Sequence, residues 1–379
     1  MIIERYIKQD IINTLNLGKV AIVYGSRQTG KTTLAQLITN ELKTLNPQTN
    51  VLKIDGDRSI HQQAFSSQNL VQIKQAIGDA NVLVFDEAQR IENIGINLKI
   101  IHDNIKDVAI IATGSSSFEL ANKINEPLTG RSVVFTLYPV SILELNNDNL
   151  HIKESLSSYL IYGMYPEVLT SNSYTENKTY LTNYVSSTLF KDILELKGVK
   201  NPKLFQDLLT LLAYQIGKEV SLSELASSLE VTKETVKRYL DLLEKIFIIK
   251  NIRGFSRNLR KEVTKTSRYY FYDNGVRNAI INNFNPLKMR NDKGMLWENF
   301  LVMERLKKQE YKKIYANNYF WRTWDKKEVD FVEERDGKLY GFEFKWGKEK
   351  SKGKKYFEET YKEGKVEIIT QDNYLNFIT

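Results

Sequence analysis

No cysteine occurs among the 379 residues. That excludes disulfides, thiolate metal sites and cysteine nucleophiles, and nothing points to an oxidising compartment. Prolines number only six, too few for long disordered linkers, and no internal repeat or low-complexity tract is present. Long apolar runs are missing too. The start, Met1-Ile-Ile-Glu-Arg5, puts charge where a secretory signal needs an unbroken apolar core. No later run approaches the roughly 18 residues that span a bilayer. The expectation is a soluble, cytoplasmic protein with no membrane partner.

A chain of this length, 42% hydrophobic, is long enough for two or three domains. The formal net charge of +8 makes a polyanionic partner plausible, although a modest lysine excess also serves solubility. Distribution says more than the total. Lys250, Arg253, Arg257, Arg260, Lys261, Lys265 and Arg268 fall in one short stretch opposed only by Glu262, a candidate surface for a nucleic-acid backbone.

Up to about residue 149, short apolar runs alternate with helical periodicity: Val20–Tyr24, Val51–Ile54, Val82–Phe85, Val108–Ala112 and Val133–Leu137 read as strands. Buried strands alternating with helices predict an α/β domain with a parallel sheet, over 1–149. Residues 150–202 read as a helical lid or linker. Residues 203–285 read as a tri-helical unit, with helices over Leu204–Tyr214, Ser223–Leu229 and Lys233–Phe247, followed by extended basic residues. That order has the form of a winged helix, with Lys233, Lys237 and Arg238 on the helix that enters a groove. Residues 286–379 read as a small α/β domain with a helix over Leu296–Lys308 and strands near Tyr319–Thr323, Val329–Glu333 and Leu339–Lys345.

Gly25-Ser26-Arg27-Gln28-Thr29-Gly30-Lys31-Thr32 follows a predicted strand and opens a predicted helix through Thr33, the context that marks a phosphate-binding loop. Backbone N–H groups and the helix N-terminus face the phosphates of ATP, Lys31 adds a charge, and Thr32 holds Mg²⁺. The strand Val82–Phe85 then runs into Asp86 and Glu87. In such folds ligands sit at the carboxyl ends of strands, so both acids arrive beside the phosphates, Asp86 for the metal and Glu87 for the attacking water. Ser115, at the end of another strand, is placed to sense the γ-phosphate. Arg131 is placed to approach phosphate from its own or a neighbouring subunit, which leaves a homo-oligomer open. A polar strand end and a surface arginine also have purely structural uses.

These residues resemble a family of bacterial and archaeal AAA-type ATPases whose P-loop domain is joined to a winged helix and a restriction-nuclease-like domain once catalogued as of unknown function. The likeness rests on Gly25–Thr33, Phe85-Asp-Glu-Ala-Gln89, Thr113-Gly-Ser-Ser116, Thr129-Gly-Arg131, Tyr162-Gly-Met-Tyr-Pro166 and Tyr270-Phe-Tyr-Asp-Asn274, and runs almost end to end. Glu298, Asp330, Glu343 and Lys345 then look like a PD-(D/E)xK nuclease motif. Residues i and i+2 of a strand share a face, so Glu343 and Lys345 project together. The resemblance implies Mg²⁺ or Mn²⁺ on Asp330 and Glu343, with Lys345 positioning water and Glu298 assisting. Glu-x-Lys on an alternating strand is equally a salt-bridge pattern. The leading expectation is an ATP-dependent DNA-processing nuclease, with DNA favoured over RNA. The alternative is an ATP-driven switch whose terminal domain is not catalytic.

Overall fold

In the computed structural model, the residues described are 2–115, 127–145, 148–190, 193, 201–256, 266–323, 326–347, 351 and 353–379. They divide into two units, Ile2–Tyr138 with Lys245–Phe247, and Pro139–Glu244 with Ile248–Thr379. Among the described residues no helix is long and apolar enough to cross a membrane.

The first unit is built on five parallel strands: β1 (Val20–Tyr24), β2 (Val51–Asp55), β3 (Val82–Asp86), β4 (Ala109–Gly114) and β5 (Ser132–Thr136). Their order is β2-β3-β4-β1-β5. β1 is buried at every position, as its Val-Ala-Ile-Val-Tyr composition requires of a central parallel strand. The helix Lys31–Leu45 follows β1 and packs through Leu34, Ala35 and Ile38, spaced to share one face. Because β4 lies between β1 and β3, the ends of all three meet on the sheet's carboxyl side. The expected strands are all present, with ends displaced by no more than two residues.

The second unit holds a seven-stranded sheet of β6 (Glu219–Val220), β7 (Ile249–Gly254), β8 (Ser267–Phe271), β9 (Asn317–Arg322), β10 (Glu328–Arg335), β11 (Lys338–Phe344) and β12 (Lys365–Ile369). The order is β12-β11-β10-β9-β7-β8-β6. The expected boundary between 203–285 and 286–379 is therefore crossed by one sheet. β7 and β9 pair in parallel through Arg253 opposite Tyr319 and Gly254 opposite Phe320. The helices Pro202–Tyr214, Leu222–Ser228 and Lys233–Lys245 precede β7, and Thr232 caps the last by accepting from the Thr235 amide at 3.2 Å.

The helix Lys293–Tyr311 is buried around most of its circumference, with Trp297 and Leu301 fully enclosed. Its buried charges are paired. Arg305 meets Glu333 at 2.9 Å and Lys307 meets Glu304 at 2.6 Å. Such pairs are what make burial tolerable, since an isolated buried ion costs several kcal/mol (about 3–5 when one partner is removed).

Candidate functional site

The loop between β1 and the helix Lys31–Leu45 sits at the carboxyl end of the central strand. Gly25 is required there, because a Cβ would lie 2.3 Å from the Leu137 carbonyl oxygen. Arg5 pins the loop from below. Its guanidinium donates to the Thr29 carbonyl at 2.7 Å and the Tyr138 carbonyl at 2.6 Å. Sequence patterning alone assigns Arg5 no role; its burial in the fold is what calls for fixed acceptors.

Lys31 is buried and its Nζ donates to the carbonyls of Gly25 and Ser26, each at 2.9 Å, so the charge is held inside the loop's own curve. The Thr32 hydroxyl donates to Asp86 Oδ2 at 2.7 Å, and Thr113 donates to Asp86 Oδ1. A hydroxyl and a carboxylate from two elements thus converge, the oxygen donors a Mg²⁺ ion takes, and the residues fit that ion. Glu87 follows with a left-handed φ of 47°. Its Oε2 accepts from the Gln89 amide and from Ser115 Oγ, the latter at 3.1 Å. In the sequence Gln89 stands out only as part of a motif; the fold gives it a partner.

Arg131 corrects one expectation. It precedes β5 and its carbonyl accepts from the Val20 amide at 2.9 Å, at the amino end of the sheet and away from the loop. Its guanidinium is 2.8 Å from Asp103. It does not approach phosphate bound to its own chain.

In the second unit the sheet register gathers the expected acids. Phe331 of β10 opposes Phe342 of β11, which puts Asp330 and Glu343 on the next rung, and Asp330 Oδ2 accepts from the Phe344 amide at 2.9 Å. Lys345 Nζ lies 3.4 Å from Glu343, which also accepts from Ser351. Glu298 accepts from the Tyr270 hydroxyl at 2.7 Å.

A fifth residue alters the reading. Arg268 on β8 lies 2.9 Å from Glu328, 3.5 Å from Glu298 and 3.7 Å from Asp330, with its side chain 5% exposed. Burial raises the Glu298 pKa, Asp330 adds to it against Arg268 and Tyr270, and the result is about 8. Burial likewise raises Asp330, against the pull of Arg268. Burial opposes the charge on Lys345, but Asp330 and Glu343 outweigh it and its pKa is raised.

The residues do not fit the Mg²⁺ or Mn²⁺ expected on Asp330 and Glu343. A guanidinium already faces Asp330, and Glu343 is engaged by Lys345 and Ser351.

The basic stretch is also redistributed. Arg268 is buried rather than on a DNA-facing surface, and Lys250 pairs with Glu244 at 3.4 Å. Arg253 is exposed, as are Lys233, Lys237 and Arg238. Arg257, Arg260, Lys261 and Lys265 lie outside the described residues.

Residues 17–146 match the family described as AAA domain. The first unit is an AAA-type P-loop domain. Beyond this AAA-type domain, residues 153–287 and 293–376 each match a family described as a domain of unknown function (DUF8612 and DUF4143). An uncharacterized Mycobacterium tuberculosis protein is 27% identical over 87% of this chain and 71% of its own. An uncharacterized Methanocaldococcus jannaschii protein is 24% identical over 86% of this chain and 75% of its own. Among solved structures, the Aeropyrum pernix ORC1 protein in complex with DNA matches with a TM-score of 0.36 and 14% identity, over 74% of this chain and 93% of that one. AMPPCP-bound DnaA from Aquifex aeolicus matches with a TM-score of 0.29 and 18% identity, over 62% and 86%. At these scores the likeness carries no argument about what this chain binds.

Proposed function

We propose that the chain is a Mg²⁺-dependent ATPase acting as an ATP-driven switch on nucleic acid, with DNA the favoured partner. The observation that carries the ATPase reading is the 2.7 Å contact between Thr32 and Asp86 beside Glu87, at the mouth of a loop that holds Lys31. Mg²⁺, when bound, would supply charge neutralisation at the terminal phosphates. Thr32 and Asp86 would hold the metal, the loop's N–H groups and Lys31 would hold phosphate oxygens, and Glu87 would take the proton of the attacking water. Gln89 and Ser115 orient Glu87 through its Oε2.

The nucleic-acid reading rests on the second unit. The helices Leu222–Ser228 and Lys233–Lys245, a tight turn between them, and the β7–β8 pair after them support a winged helix. Lys233, Lys237 and Arg238 lie on its exposed side, and a helix suits the major groove of duplex DNA better than the narrow one of RNA. Arg253 is assigned to backbone binding too, as are Arg257, Arg260 and Lys261, which lie outside the described residues. Phosphodiester cleavage is left out because Asp330 faces Arg268 and Glu343 is engaged by Lys345 and Ser351.

Reversing Lys233, Lys237 and Arg238 to glutamate and titrating duplex DNA at several salt concentrations tests the DNA face. Affinity falls, and the salt slope flattens by about 0.9 for each phosphate that is no longer neutralised. Unchanged affinity and slope would rule this helix out.

A further inference from the structure

Three elements of the C-terminal unit bring charge to one point. β8 supplies Arg268 and Tyr270, the helix Lys293–Tyr311 supplies Glu298, and β10 supplies Glu328 and Asp330. The guanidinium touches carboxylates from both other elements and lies 4.5 Å from the Phe320 ring. Buried arginine needs carboxylates around it, and buried carboxylates need a cation. Here each answers the other.

The arrangement is fixed by the backbone. Arg268 pairs with Ile252 of β7 on one side and Glu219 of β6 on the other, so its backbone stands inside the sheet between two ladders. Other groups engage the acids as well. Tyr270 donates to Glu298, the Phe344 amide donates to Asp330, and Lys345 and Ser351 hold Glu343. A divalent ion placed among these oxygens would sit against a guanidinium that cannot lose its charge, and like charges so close repel strongly where water is excluded.

We propose that Arg268 is a built-in replacement for a divalent cation, which makes the acid cluster a permanent joint between β8, β10 and the helix Lys293–Tyr311. This joint is independent of the ATPase reading.

The test uses the full-length chain carrying Asp86→Asn, so that the P-loop contributes no metal site, with Mn²⁺ as the probe and its uptake followed by electron paramagnetic resonance. With Arg268 present, uptake is the same whether or not Asp330→Asn is added. With Arg268→Ala, the unfolding midpoint drops, Mn²⁺ restores part of it, and Mn²⁺ is taken up in a manner that Asp330→Asn abolishes. Uptake by the Arg268 protein that Asp330→Asn removes would overturn the proposal. So would a folded Arg268→Ala protein that takes up no Mn²⁺. If Arg268→Ala does not fold, the two arms with Arg268 present still decide.

Discussion

Thr32 and Asp86, 54 positions apart, are joined by a 2.7 Å hydrogen bond from the hydroxyl to Oδ2. The bond exists because the chain leaves β1 and β3 on the same edge of a parallel sheet, with β4 between them delivering Thr113 to the other carboxylate oxygen. Both donors of the proposed metal site are thus oriented by the fold.

Lys31→Ala is expected to weaken ATP binding. A charge-assisted contact contributes about 1.5–3 kcal/mol, or roughly 10- to 150-fold in affinity. Titration with a fluorescent ATP analogue reads this. Retention of wild-type affinity would mean that Lys31 keeps its charge on the Gly25 and Ser26 carbonyls when nucleotide binds.

Gly163→Ala is expected to destabilise the C-terminal unit. Gly163 has a φ of 76°, and a Cβ there would lie 2.0 Å from Asp273 Oδ1. That carboxylate accepts from the Met164 amide at 2.6 Å and the Val276 amide at 3.0 Å, holding the Gly-Met-Tyr-Pro turn to the helix Asn274–Ile280. Backbone strain alone costs about 1–3 kcal/mol. Denaturant unfolding with a midpoint like that of wild type would show that the turn relaxes freely.

Stability is expected to fall as pH rises through the range set by Glu298. Its pKa is about 8 in the fold against an ordinary 4.5, so between those values the folded chain keeps a proton that the unfolded chain has lost. The stabilisation is fully present at the acidic end and gone above pH 8. Arg268, Tyr270, Asp330 and Glu328 are the groups that face it. Thermal unfolding of wild type and Glu298→Gln across this range checks the sign: the variant should lose less stability with rising pH. Parallel curves would assign the pH dependence elsewhere.

The AAA-type domain was legible because parallel strands buried on both faces read as apolar runs, and because the loop Gly25–Thr32 needs only local order. The second sheet was less so. The β7–β9 pairing joins distant segments through two residue pairs, and no periodicity encodes that. Glu298 and Asp330 meet Arg268 in the fold, a contact the sequence did not disclose because Arg268 was counted there by charge alone. Its setting held the missing signal. Arg268 leads into Tyr269, Tyr270, Phe271 and Tyr272, and a cation entering so aromatic a strand is buried and must meet acids.

The most direct measurement is single-turnover and steady-state ATP hydrolysis by Glu87→Gln beside wild type, with Mg²⁺ and with EDTA. The site as built predicts Mg²⁺-dependent turnover by wild type, and a variant that binds ATP normally but hydrolyses it about 10²–10⁴-fold more slowly. Hydrolysis by Glu87→Gln at the wild-type rate would contradict it.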